Sequence, residues 1–119
     1  MKPILKSIFL LSENASLERF TPEIPHNFHV LASVTIGEVD TAAADDYSIG
    51  ICTPIWIDHH IQIMGPLLGR HLLIVNRFDA EEIRACIEKF ISQCERENPA
   101  ETNAMLARFF AWEFEDYQP

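Results

Sequence analysis

The stretch FHVLASVTI, Phe28 to Ile36, puts Phe28, Val30, Ala32, Val34 and Ile36 on one side of an extended chain and His29, Ser33 and Thr35 on the other. A period of two belongs to an antiparallel β-strand with one face buried and one wet, because same-side positions on a helix recur only about every 3.6 residues. A chain carrying this pattern has to build a sheet with one covered face. Gly37 marks the end of the strand, and YSIGICT, Tyr47 to Thr53, repeats the alternation with Tyr47, Ile49 and Ile51. The two runs read as a hairpin whose connection, GEVDTAAADD, is long, exposed and acidic, with Glu38, Asp40, Asp45 and Asp46.

Around this hairpin the remaining elements fall into order. Ile4 to Leu11 is a first strand, and Pro22 and Pro25 keep the segment after it irregular. The segment from Pro54 to Gly69 reads as a loop with one short helix, closed by Gly65-Pro66. RHLLIVNRF, Arg70 to Phe78, is apolar on both faces between Leu72 and Val75, which predicts a central strand. Asp79 with Glu82 forms a capping box, and Ile83, Ile87, Phe90, Ile91 and Cys94 follow as one helical stripe. A second helix opens on Asn98, Pro99 and Glu101 and buries Met105, Leu106, Phe109 and Phe110. After Phe110 the period returns to two, so the tail FFAWEFEDY becomes extended, with Trp112 and Phe114 facing in and Glu113 and Glu115 facing out. The fold class is α+β: an antiparallel sheet of about four or five strands with two C-terminal helices packed on one face.

The chain has 119 residues, the size of one domain with one core, so residues 1–119 are read as a single unit. Its 18 Asp and Glu against 9 Lys and Arg give a formal net charge of −9, which repels nucleic acid and anionic lipid and favours a basic partner. Cys52, Cys86 and Cys94 are odd in number and form no C-x-x-C pair, which argues against a disulfide framework and a zinc knuckle and fits a reducing cytoplasm. MKPILKSIFLLSENAS has the outline of a secretion signal, but Lys6 cuts its apolar run to Ser7 to Leu11. No window approaches the roughly 18 apolar residues of a membrane helix, so a soluble protein is expected.

Chemistry is sparse. Glu113 and Glu115 on a strand would stand about 7 Å apart, a spacing compatible with an acid/base pair, but hydrolysis needs one of them buried and nothing buries either. His26, His29, His59, His60 and His71 have no Cys or carboxylate at a known zinc interval, and no metal or cofactor is expected. Cys52 lacks a local base that would make it a nucleophile. The crowded acids at the terminus are then either plain solvated residues or a rigid surface for a basic partner, with Glu113, Glu115 and Asp116 as one candidate patch and Glu38, Asp40, Asp45 and Asp46 as another.

CTPIWI (Cys52 to Ile57), GRHLLIV (Gly69 to Val75) and WEFEDY (Trp112 to Tyr117), in this order and at this spacing, resemble immunity protein family eight of bacterial polymorphic-toxin systems. The resemblance spans the chain from Ile4 onward and departs from the family in the apolar IDHHIQIMG after Trp56. It implies a cytoplasmic protein that binds the C-terminal domain of a cognate toxin, such as one delivered by contact-dependent growth inhibition, and neutralises it in the producing cell. A basic nuclease would suit the charge. The rival classes are a small acidic hydrolase using Glu113 and Glu115, and a general acidic adaptor or nucleic-acid mimic.

Overall fold

The computed structural model describes residues 1–113. Six strands, β1 (Ile4–Leu10), β2 (Ala15–Ser16), β3 (His29–Gly37), β4 (Ala44–Cys52), β5 (Leu72–Ile74) and β6 (Ala111–Trp112), combine with α1 (Pro54–Met64), α2 (Ala80–Ser92) and α3 (Pro99–Phe109). The sheet runs β2-β1-β3-β4-β5, and β6 also pairs with β4. All pairings are antiparallel except β4 with β5. The α+β class expected from the residues holds.

The β3–β4 hairpin forms the centre, in register from His29 opposite Cys52 to Gly37 opposite Ala44. Its period-two residues Val30, Ala32, Val34, Ile36, Tyr47, Ile49 and Ile51 all lie in one buried cluster, which Ile8 and Leu10 of β1 extend. Onto this face α2 brings Ile83, Ile87 and Ile91, and α3 brings Leu106, with Cys94 and Phe110 beside them. Each such side chain contributes about 1.5–3 kcal/mol on burial. Both helices begin as their caps predict: Asp79 accepts from the Glu82 amide and Asn98 from the Glu101 amide. Phe20, Phe28 and Phe78 close the proline-rich segment in edge-to-face contacts at 5.4 and 5.3 Å.

Four expectations need correction. Leu72 to Ile74 is an edge strand of three residues and not a central one, with Ile74 52% exposed. Its apolar run reflects a strand packed on one side and an open edge on the other, and composition does not distinguish that from burial on both faces. Second, Pro54 to Met64 is one continuous eleven-residue helix. The buried Thr53 caps it by accepting from the Trp56 amide at 3.3 Å, Pro54 occupies the first turn, and no breaker intervenes before Gly65. Third, the hairpin connection is shorter than expected, because β4 already begins at Ala44 and takes Asp45 and Asp46 out of the loop. Fourth, Trp112 is 37% exposed, while the aromatic that fills the core is Phe110 at 1%. Trp112 stands opposite Tyr47 and so shares its face of the sheet, but at the rim. Phe114, Glu115 and Asp116 lie outside the described residues.

Candidate functional site

The sheet has two unlike faces. One is roofed by α2 and α3. The other carries Leu31, Ser33, Thr35, Asp46 and Ser48, half or fully exposed, with Phe9 and Leu11 of the neighbouring strand 39% and 51% exposed. Such an open face is available for contact, and Asp46 lies at one end of it, next to the turn, whereas Asp45, opposite Ile36, faces the covered side.

At that end the β3–β4 connection carries the exposed Glu38 and Asp40. Gly37 is required there, since a Cβ would sit 2.6 Å from the Ala43 carbonyl oxygen. Asp40 takes a left-handed φ of 64°, a conformation that Asp and Asn adopt more readily than other residues with a Cβ. A bulge between Leu5 and Ser7 turns Lys6 outward, and its Nζ donates to the Thr41 carbonyl at 2.9 Å, which ties the loop to β1. Asp46 Oδ1 accepts from the Thr35 hydroxyl at 2.6 Å. From the far end of the chain Glu113 arrives on the same stretch: its amide donates to the Asp46 carbonyl at 3.1 Å, and its Oε1 accepts from the Asp46 amide at 3.3 Å. Glu113 of the tail and Asp46 of the hairpin are thus in contact. Leu11, Ser33, Asp46, Ser48 and Glu113 border a shallow groove leading from the acids onto the open face.

The opposite end of this face is built from histidines. His29 at the start of β3 stacks on Trp56 of α1 with ring centres 4.4 Å apart, and Trp56 stacks in turn on His60 at 4.6 Å. Gly50 makes room beneath, because a Cβ there would lie 3.1 Å from His29 Nε2 and 2.8 Å from Leu72 Cδ2. Loss of water around the His29 ring, and then the nearby His60, push the His29 pKa below its ordinary value of 6.5. Arg70 donates to His71 Nε2 at 3.0 Å alongside. The sequence contains a signal for this stack: Trp56 and His60 are spaced i, i+4, which matters only once residues 54–64 are recognised as a helix.

Two of the three thiols are buried. Cys52 is fully buried and its thiol is pushed up to about 11 by that burial, far from the thiolate a nucleophile requires. Cys94 is also raised by burial, and its Sγ–H donates to the Phe90 carbonyl. Burial, followed by the charge of Asp45, pushes the Tyr47 hydroxyl up to about 12. Among the described residues no group of three or more His, Cys, Asp or Glu could hold a metal ion. Also among these residues, no helix is long and apolar enough to cross a membrane.

Fold and surface together define a small α+β protein that offers an open, acid-ended sheet face and a histidine-flanked tryptophan. Residues 4–117 match the model of the Immunity protein 8 family, and the chain belongs to that family. No curated protein and no solved structure gives a significant match. Family membership supports an immunity role, in which the partner is a toxin protein.

Proposed function

We propose that the chain binds the C-terminal domain of a cognate toxin through its acidic sheet end and neutralises it in the cytoplasm of the producing cell. The toxin is a basic domain, a nuclease being the class whose phosphate-binding groove such a surface fills. The observation that supports this reading is the pairing of Glu113 with Asp46, which brings one tail acid onto the acidic end of the hairpin. Asp46 and Glu113 are held by hydrogen bonds to each other and to Thr35, so these two lose little side-chain entropy when a basic partner docks, and Glu38, Asp40 and Asp45 add negative charge at the same end of the hairpin. The proposed surface includes Glu115 and Asp116 of the tail, which lie outside the described residues. Inhibition is by occupancy and involves no turnover, no cofactor and no nucleic-acid contact.

The test replaces the five described acids by their amides: Glu38→Gln, Asp40→Asn, Asp45→Asn, Asp46→Asn and Glu113→Gln. Asn suits the left-handed φ at position 40 and can still accept from Thr35 at position 46, so the fold is retained. The expected result is a loss of toxin affinity of tenfold or more, on the order of 1.4 kcal/mol or above, and loss of protection in cells expressing the toxin. A well-folded variant that protects fully would move the toxin to another face. Turnover of a hydrolase or nuclease substrate that survives repurification and disappears with Glu113→Gln would replace the reading with an enzymatic one.

A further inference from the structure

A second surface is unlike the acidic end in every respect. Helix α1 has no buried residue, although its composition is mostly apolar. At about 100° per residue, Trp56, Ile57, His60, Ile61, Ile63 and Met64 fall within one arc of roughly 160°, with Asp58 and Gln62 opposite. The stripe begins supported, with Trp56, Ile57 and His60 half-buried and Trp56 stacked on His29. It then runs off the body of the protein. Ile61 is 39% exposed, Ile63 81%, Met64 72%, and Leu68 in the following loop 86%. Clustered apolar residues at this exposure mark a contact surface.

Charge identifies the occupant. Between Thr53 and Gly69 the one carboxylate is Asp58, turned to the polar side of the helix, where its Oδ2 accepts from Gln62 at 2.8 Å; the segment has no Lys or Arg. Two copies of a chain with net charge −9 repel each other at most orientations, and a sector with one carboxylate in 17 residues adds little to that repulsion when it meets its own copy. A basic toxin, by contrast, gains its electrostatic attraction at the carboxylates of the other end. Glu113 and Asp46 meet near the start of β4, whereas α1 begins beyond its end, so the two surfaces lie at opposite ends of that strand.

We infer that α1 is a homodimer interface, in which the Ile61, Ile63 and Met64 stripes of two copies pack against each other about a two-fold axis. Such a contact is isologous, so one stripe is its own complement. Packing of i±4 ridges would then set the crossing of the two helices. The acidic ends remain free in the dimer, which therefore carries two toxin sites.

The experiment is sedimentation equilibrium of the full chain over a wide concentration range, at low and high salt. A dimer is expected whose association constant rises with salt, because screening removes like-charge repulsion between copies. Ile63→Lys with Met64→Lys should give a monomer at all concentrations with an unchanged circular dichroism spectrum, since both side chains are exposed and support no core. The variant should bind and neutralise the toxin like the wild type. A wild-type protein that is monomeric throughout, or a double variant that still dimerises, overturns the inference. So does a double variant that loses toxin binding, which would assign the α1 sector to the toxin instead.

Discussion

At the scale of single residues, adjacent aromatics in one tail do different work. Phe110 is 1% exposed and meets Tyr47 edge-to-face at 6.2 Å, so Phe110→Ala should cost roughly 3–5 kcal/mol and lower Tm sharply. Trp112, 37% exposed at the sheet rim, should cost less, on the order of 1–2 kcal/mol when truncated to Ala, because part of the ring never leaves water. Thermal melts of the two variants check the order; equal losses would mean that Trp112 is core. His29 gives a pH prediction. Its folded pKa lies below the 6.5 of the unfolded chain, so the unfolded state takes up the proton first as pH falls. Its contribution is complete above 6.5 and is lost as pH drops through that value toward the folded pKa, with the charge of His60 acting in the same direction. Urea midpoints compared at about pH 7.5 and about pH 5.5 should fall further for the wild type than for His29→Gln, which does not titrate.

At the scale of elements, the helices divide by what holds them. The α2 helix is fixed by its isoleucine stripe against β1 and the hairpin, whereas α1 has no fully buried residue and is held by its N-terminus and the Trp56–His29 stack. Thr53 supplies that attachment: it is 0% exposed, and its Oγ1 accepts from the Trp56 amide at 3.3 Å and the Phe28 amide at 3.4 Å. Thr53→Ala should therefore cost about 1–2 kcal/mol and loosen α1 together with the start of β3, whereas Thr53→Ser retains the acceptor and most of the stability. Hydrogen exchange at Trp56 and Phe28 reads this directly. Protection lost at Trp56 alone would mean that the two elements are not coupled through Thr53. The hairpin is the opposite case, a register set by alternation, where Gly37→Val should disrupt the turn because the Ala43 carbonyl already fills the space.

At the scale of the whole molecule, charge separates two kinds of contact. Toxin association through the acidic end should be fastest at low salt and slow as ionic strength rises, since exposed charges are screened beyond about 8 Å at 0.15 M. An association rate that stays flat across the same range would argue for an apolar toxin interface. Self-association through α1 should respond with the opposite sign. Because one salt titration moves the two equilibria in opposite directions, it assigns each to its surface without any substitution.

The residues themselves determine the α+β class, the hairpin, both C-terminal helices and their caps, because those features rest on period, capping atoms and breakers within a few residues of one another. The period-two face of Phe28 to Ile36 is buried as written, and Asp79 and Asn98 begin their helices where their side chains reach the amides. Three other features depend on distant segments. Whether LLI is central or an edge depends on what pairs beyond it, and whether Trp112 is covered depends on where α3 stops. The meeting of Asp46 with Glu113, 67 positions apart, depends on β6 returning to β4. No local signal encodes these outcomes, since hydrogen bonds between distant strands form only when the core brings their backbones together. The acidic residues are therefore legible in the sequence as candidates, while the contact of Asp46 with Glu113 is a product of the tertiary fold.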